Sequence, residues 1–461
     1  MIQRFSFGHP FPTQSVVLSL PAESGPVPFL TPDDSGWRLT LSEQAAVYGL
    51  GEMPRGINKR GWHYITNNTD ESRHSEDKLS FYGAHNFLLV RDGSTCFGLF
   101  VDFPGKVYYD IGYTRHDLFS FHTETPDYDL YLLSGENENA ICKEFRTLIG
   151  RSYIPPKWAF GLAQSRWGYK TEEDVREVAR QYKEHDLPLD MICMDIEYMQ
   201  DYADFTVNKE RFPDLAKLSA DLKAQGIRLV PIIDAGVRID PNDPTCTEGL
   251  EKGYFCKKAD GTPFVAAVWP GKAYFADFLR PEVREWFGHK YKALTDCGIE
   301  GFWNDMNEPS LFYSPERLRA FLNDMAALRE KDNIEQEEFF PRVVGGAMGL
   351  MNSPADYASF YHEVDGQKVR HDQVHNLYGG SMTRAAGEAF VDLRPGQRTL
   401  LYSRSSFIRR HLAGRQQFQL GPAAGQHPDD AQCPDVRFPV QRCRPLRLLL
   451  RYHAGSCPAL A

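Results

Sequence analysis

The 461-residue chain reads as α/β with an N-terminal all-β domain, a β-sandwich followed by an incomplete (β/α)8 (TIM) barrel of about five strands. Three observations predict this. Residues 1–150 carry short apolar runs separated by Gly, Pro, Asp and Asn at sandwich-like spacing. After the stiff linker Ser152-Tyr-Ile-Pro-Pro-Lys157 the rhythm becomes strand, helix, strand. Each later strand stops in polar or aromatic residues, and a β/α barrel presents its chemistry at the C-terminal mouth of its strands. A doubly wound sheet is the runner-up.

In the first domain the predicted strands are residues 14–20, 36–41, 86–90, 96–101 and 128–133. Residues 48–60 and 67–77 are too polar for strands and are assigned to loops reaching toward the neighbouring domain. The first barrel strand is predicted over 158–163, ending in Gln164-Ser165-Arg166-Trp167. Thr171 caps the next helix, with Glu172, Glu173 and Asp174 in its first turn, where the dipole favours anions, and Val175, Val178, Ala179 and Tyr182 on one face. The second strand, 191–194, ends in Asp195-Ile196-Glu197-Tyr198, and the third, 228–233, ends in Asp234. An insert carrying Val265-Ala-Ala-Val-Trp269-Pro-Gly precedes the fourth strand, which runs into Trp303-Asn-Asp-Met-Asn-Glu-Pro309. A polar insert over about 310–370, a helix over 375–390 and a fifth strand, 398–402, ending in Ser403-Arg404, follow.

Composition narrows the function. A net charge of −10 repels phosphate backbones and anionic lipid, which argues against nucleic acid and membrane surfaces as partners. The nine cysteines are odd in number and contain no C-x-x-C, which points to free thiols in a reducing compartment. The first residues lack the apolar run of a signal peptide and no segment approaches a membrane span, so a cytoplasmic location is expected.

Asp195, Asp234 and Asp305 fall at successive strand ends, with Arg404 opposite and Trp167, Trp269 and Trp303 interleaved. Carboxylates beside aromatic planes suit carbohydrate chemistry, because an oxocarbenium-like transition state wants anions beside it and sugar faces want apolar platforms. Two other readings stand beside it. His371-Asp-Gln-Val-His375 puts imidazoles at i and i+4, as in H-E-x-x-H, but Asp replaces the general-base Glu and no third ligand is evident, so a solvated or substrate-facing pair is preferred to a metal site. Alternatively, the acids are salt-bridge partners in a barrel with no activity.

Trp303-Asn-Asp-Met-Asn-Glu-Pro309 resembles the nucleophile signature of glycoside hydrolase family 31, the α-glucosidases and their relatives, over the whole heptad. Lys157-Trp-Ala-Phe-Gly, Gln164-Ser-Arg-Trp-Gly-Tyr169, Met194-Asp-Ile-Glu-Tyr198, Val268-Trp-Pro-Gly271, His375-Asn-Leu-Tyr378 and Ser403-Arg-Ser-Ser406 reinforce the resemblance, which covers roughly residues 5–408. It implies a retaining exo-α-glucosidase that needs neither metal nor cofactor and acts on short α-glucosides such as maltose or isomaltose. By the same resemblance Asp305 is the nucleophile, Asp195 holds the sugar hydroxyls, and Arg404 and His375 orient or neutralise neighbours. Trp167, Trp269 and Trp303 wall the terminal glucose, together with Ile196 and Asp234; Met306 packs beside the nucleophile, and Asp70 sits on a sandwich loop that closes the pocket. An α-xylosidase of the same fold and a non-catalytic sugar-binding fragment are the alternatives. Oligomeric state stays open, a homo-oligomer included.

The resemblance stops after residue 408. A retaining mechanism needs a second carboxyl as acid/base; in the family it lies in a segment resembling W-x-G-D-N after the fifth strand, and none is present here. The 53 residues from Arg409 to Ala461 contain no Lys, Glu, Trp, Ile, Met, Asn or Thr but eight Arg. Moving the reading window one nucleotide forward lets Leu412 to Leu420 encode W-x-(G/A)-D-N-S-S-S-W. The same shift permits Met-Met-Pro-Ser from Asp429–Gln432 and Ser-Gly-Ala-Asp from Gln441–Arg444. Residues 151–408 are therefore expected to be a partial barrel, and 409–461 its out-of-frame continuation. Such a chain lacks the acid/base, so poor folding and little hydrolysis are expected of it. A divergent native tail is the alternative.

Overall fold

The computed structural model describes residues 1–33, 36–150 and 152–408, and the backbone of 418–419. The N-terminal half is a sandwich of two antiparallel five-stranded sheets among the described residues. One runs in the order Ile2–Phe7, Tyr128–Ser134, Thr95–Asp102, Phe87–Asp92, Ala46–Gly49, the other Thr31–Asp33, Gly36–Thr40, Leu118–Thr123, Val107–Ile111, Trp62–Thr66. Alternation along these strands turns Val47, Leu88, Leu99, Val101, Tyr109, Phe119 and Leu130 into one shared core. The predicted strand over 14–20 is not one. Ile2–Phe7 already occupies the sheet edge beside Tyr128–Ser134, so that segment has no ladder to join. It lies instead against the helix Glu138–Ile149, where the Val17 N–H donates to the Leu148 carbonyl at 2.8 Å and Val16, Leu18 and Leu20 pack beside Ile141 and Leu148.

The second half holds a parallel sheet whose strands are numbered here β1 (Ala163–Ser165), β2 (Met191–Met194), β3 (Arg228–Ile233), β4 (Gly301–Asn304), β5 (Leu400–Ser403) and a short β6 (Phe418–Gln419), paired in that order. Near-continuous burial along β2, β3, β4 and β5 is what a sheet covered on both faces demands. Helix α1 (Glu172–Glu184) opens with a Thr171–Asp174 capping box and buries Val175, Ala179 and Tyr182, as its periodicity predicts. Helix α2 (Leu215–Ala224) follows β2, and α3 (Leu377–Leu393) precedes β5.

Three elements depart from the sequence reading. The first strand begins at Ala163, because Lys157–Phe160 closes a 3-10 turn after the two prolines and the Leu162 N–H goes to Asp190 Oδ2 at 2.8 Å. The insert around Trp269 is a β-hairpin, Val265–Val268 with Gly271–Phe275. The polar insert over about 310–370, given no elements from the sequence, contains the helix Pro315–Leu328 and a second hairpin, Phe360–Val364 with Gln367–Arg370. His375 lies just before α3, after the short helix His371–Val374.

The domains meet where the polar sandwich loop over 67–77 reaches the mouth of the sheet. Gly83–Ala84 pairs in parallel with Ser406–Phe407 directly after β5. Asn68 and Asn376 exchange hydrogen bonds at 2.8 and 3.1 Å. The expected loop-to-barrel reach is therefore present.

Candidate active site

Every predicted acid at a strand end sits where expected: Asp195 after β2, Asp234 after β3, Asp305 after β4, with Arg404 after β5. Parallel pairing sets the register, Ile232 beside Trp303 and Trp303 beside Tyr402, so the residues one step beyond each strand share one rim. The Arg404 N–H donates to the Asn304 carbonyl and the Asp305 N–H to the Ile233 carbonyl, at 2.9 and 3.0 Å, which fixes both side chains at that rim.

Arg404 is the hub. Its Nε and Nη2 donate to the two oxygens of Glu308 at 3.0 and 2.7 Å, a bidentate pair. Nε also stands 2.9 Å from Asp305 Oδ1, outside hydrogen-bond alignment, and Nη1 lies 3.7 Å from Asp70. Nη2 touches Met306 Sδ at 3.4 Å, and the guanidinium carbon sits 5.1 Å over the Tyr82 ring. Met306 holds φ +54°, a left-handed conformation that costs a residue with a Cβ and recurs at functional turns. The turn lets Asp305 and Glu308 face the same guanidinium. Asn307 braces it, donating to Ser403 Oγ at 2.9 Å and accepting from the Ser405 N–H at 3.1 Å.

One guanidinium cannot neutralise three carboxylates. Burial pushes the Asp305 carboxyl up, with Arg404 pulling against it. Burial likewise pushes Glu308 up to about 7 against the same pull. The carboxylates in turn hold Arg404 firmly charged. Asp70 is tied down by Ser310, whose Oγ donates to Oδ2 at 2.5 Å.

Deeper in, Asp234 and Asp204 form a buried acid pair, the Asp234 N–H donating to Asp204 Oδ1 at 2.8 Å. Burial first, then Asp204 and the neighbouring acids, push Asp234 well up, and burial does the same to Asp204. The hydrogen bond from the Asp234 N–H opposes that rise at Asp204. Asp195 Oδ1 accepts the Ile196 N–H at 2.8 Å and caps the turn Ile196–Tyr198, which buries Ile196.

The three tryptophans divide into two levels. Trp167 and Trp269, 52% and 36% exposed, stand on the rim with ring centroids 6.4 Å apart and offer open faces to solvent. Trp303 is buried, its Nε1 donating to the Met194 carbonyl at 3.2 Å and its ring stacked on Tyr402. The histidine pair is neither solvated nor at the rim. His371 and His375 are buried and bonded to each other, Nε2 to Nδ1 at 2.8 Å, so those nitrogens are already spent and the expectation of an open pair fails.

Sequence reasoning missed Glu308, Tyr82 and Asp204. Glu308 was visible inside the motif ending at Pro309, whereas nothing in the sequence pairs Tyr82 or Asp204 with residues so distant. The reading of 409–461 as an out-of-frame continuation without the acid/base carboxyl falls on residues outside those described.

The arrangement offers a buried carboxylate beside a fixed cation, under an aromatic rim, with further acids a step away. Such a set suits attack on an electrophilic sugar carbon. Residues 152–419 match the glycosyl hydrolases family 31 TIM-barrel domain, and residues 25–110 match the glycosyl hydrolase 31 N-terminal galactose mutarotase-like domain. Alpha-glucosidase 2 of Bacillus thermoamyloliquefaciens is 37% identical over 81% of this chain and 43% of its own length. An alpha-glucosidase of Saccharolobus solfataricus is 28% identical over 74% of this chain and 46% of its own. Among solved structures, the Flavobacterium johnsoniae family 31 dextranase complexed with glucose superposes with a TM-score of 0.66 at 23% identity, covering 86% of this chain and 44% of the dextranase, and so speaks for the fold. The family 31 alpha-glucosidase from Bacteroides thetaiotaomicron gives a TM-score of 0.64 at 26% identity, covering 84% and 58%. The chain thus spans about half the length of the curated relatives it matches. With the barrel-domain match extending over more than half of its residues, the chain belongs to glycosyl hydrolase family 31.

Proposed function

We propose that this chain carries the nucleophile half of a retaining exo-α-glucosidase that removes terminal glucose from short α-linked oligosaccharides of the maltose or isomaltose type. The observation that carries the reading is Asp305, buried at the end of β4 with Arg404 2.9 Å from its Oδ1. Asp305 attacks the anomeric carbon and forms a glycosyl ester that water then hydrolyses. Burial pushes the Asp305 carboxyl up, and Arg404 opposes that push by favouring its charged form. Asp195, Asp234 and Ile196 line the sugar's buried side, Trp167 and Trp269 its open side, and Trp303 and Met306 the floor beside the nucleophile. Asp70 closes the pocket from the sandwich side, and His375 acts behind it.

The second carboxyl must stand about 5–5.5 Å from the nucleophile and be free to trade protons with the leaving group. Among the described residues the candidates are engaged: Glu308 is clasped by Arg404, Asp234 is buried against Asp204, and Asp195 caps a turn. We therefore assign it to the coding sequence after residue 408, read out of frame in 409–461. Reading the gene tests this, since absence of W-x-x-D-N from all three frames ends the assignment. The relatives' alpha-glucosidase names support the substrate class, and six free cysteines among the described residues support a reducing, cytoplasmic setting.

The test sets the present chain beside a frame-corrected form on an aryl α-glucoside. Hydrolysis is expected from the corrected form and little from the present chain. Asp305→Ala in the corrected form should cut turnover by about 10^4 or more. Retained turnover removes Asp305 from its role, and inactivity of both parent forms overturns the enzyme reading in favour of a sugar-binding fragment.

A further inference from the structure

Behind the mouth, four ionisable side chains form an unbroken buried line. Asp277 Oδ1 lies 2.7 Å from His362 Nδ1, and His362 Nε2 lies 2.9 Å from His371 Nδ1. His371 Nε2 lies 2.8 Å from His375 Nδ1, and His375 Nε2 lies 2.7 Å from the Asn68 carbonyl oxygen. All four side chains are buried. Phe360 stacks on the His371 ring at 4.3 Å and Tyr357 packs against His375 at 4.7 Å, so the imidazoles cannot turn freely.

Hydrogen-bond accounting gives the line a direction. A carbonyl only accepts, so His375 Nε2 bears a hydrogen. Burial, first of all, holds His375 down to about 4 and His371 well below the ordinary histidine range, which leaves both rings neutral at pH 7. A neutral imidazole has one N–H and one lone pair. His375 Nδ1 therefore accepts from His371 Nε2–H, and His371 Nδ1 accepts from His362 Nε2–H. His362 has then committed one N–H, yet its other nitrogen stands 2.7 Å from a carboxyl oxygen. Two bare acceptors do not sit that close, so a proton lies between them. That proton is held in the short His362–Asp277 contact, which closes the line at this end. Asp277 Oδ2 takes the Glu363 N–H at 2.8 Å.

The same corner holds Cys256, with Sγ 3.6 Å from His362 Nδ1, and the three side chains form a group of metal-ligand types. The distances speak against a shared ion. Two ligands on a tetrahedral zinc stand about 3.3 Å apart when each bond is near 2.0–2.1 Å, whereas the Asp277–His362 contact of 2.7 Å is that of a charge-assisted hydrogen bond.

At the other end, Asn68 is fixed at three points, its N–H to Asn376 Oδ1, its Nδ2 to the Asn376 carbonyl and its own carbonyl to His375. Two residues on, Asp70 meets Ser310 and Arg404. We propose that Asp277, His362, His371 and His375 are positioning residues, a one-way hydrogen-bond relay running from the proton held between Asp277 and His362 to the Asn68 carbonyl, which holds the Asp70 loop against Arg404. Its bearing on turnover rests on the glycosidase reading above; the relay itself does not.

The full chain, labelled with 15N in its histidine rings, tests the direction by NMR, with His362→Gln, His371→Gln and His375→Gln used to assign the signals. At pH 7 His371 and His375 should be Nε2-protonated neutral rings, and His362 should carry a proton on Nε2 and show a far-downfield proton in its Nδ1 contact with Asp277. An Nδ1-protonated neutral ring at His371 or His375, or a His362 without a proton on Nε2, overturns the relay. Positioning is read separately from amide exchange over residues 67–72. His371→Phe, which loses both nitrogens, should speed exchange there by about tenfold or more. His371→Gln, which can donate and accept, should restore most of the protection. Unchanged exchange in His371→Phe overturns the positioning role. Should that variant not fold, Asp277→Asn serves instead, with the far-downfield proton of the His362 contact expected to disappear, and its persistence overturns the proposal. None of these readouts involves Asp305, so failure of the relay and failure of the glycosidase reading are told apart.

Discussion

Glu308 sets the electrostatics of the mouth as much as Asp305 does. It is buried, it shares Arg404 with two other carboxyls, and burial pushes it up to about 7 from an ordinary value near 4.5. In the folded state it therefore binds a proton across a window in which the unfolded chain has released it. Its contribution to stability is fully present below about pH 4.5 and is lost as the pH rises through about 7. At about 1.4 kcal/mol per unit, the loss amounts to at most about 3 kcal/mol. Glu308→Gln removes that titration and keeps the shape. Urea unfolding of the parent and of Glu308→Gln from pH 4 to pH 8 should show their stability difference falling through this window and flat on either side. A difference that rises instead would mean that Arg404 wins over burial and keeps Glu308 ionised.

At the scale of elements, the mouth is assembled by close approach between α3 and the turn after β4. A Cβ at Gly379 would stand 2.6 Å from the Asn307 carbonyl oxygen and 2.7 Å from Ser405 Cβ. Helix propensity alone favours Ala over Gly by about 1 kcal/mol. The contact predicts the opposite sign, a loss of about 1–3 kcal/mol for Gly379→Ala on denaturant unfolding, because Asn307 and Ser405 must move away from the helix. Stabilisation would show that the turn yields without cost. This contact also marks the limit of what the sequence makes legible. Asp195, Asp234, Asp305 and Arg404 could be read from the chain because each apolar strand is cut short by a polar residue, a local signal. That Arg404 grips Glu308 bidentately, 96 positions away, depends on pairing between β4 and β5 that no local pattern encodes. His371 and His375 looked like an open i, i+4 pair because their real partners, His362 and Asn68, come from a hairpin and from the other domain. The strand expected over 14–20 failed for a related reason, since its apolar alternation is real but another segment holds the edge it would pair with.

For the whole molecule, sandwich and sheet are joined through Asn376. Its Oδ1 accepts the Asn68 N–H at 2.8 Å, and its Nδ2 donates to the Gly105 carbonyl at 2.7 Å and to the Thr66 carbonyl at 3.4 Å, all buried. Asn376→Ala would strand a donor and two acceptors away from water, and each unsatisfied buried group costs about 1–3 kcal/mol. The weakest of the three bonds adds little, so a total of about 2–4 kcal/mol is expected. The Gly83–Ala84 pairing with Ser406–Phe407 remains in the variant, so the domains stay attached but loosely. Loss of coupling predicts more than a lower midpoint. Amide exchange followed separately in the sandwich strands and in β2 to β4 should change from one shared opening in the parent to two distinct openings in Asn376→Ala. Exchange that accelerates equally in both halves would instead place the coupling in the strand pair after β5, and Asn376 would then be an ordinary buried amide whose loss is felt by the fold as a unit.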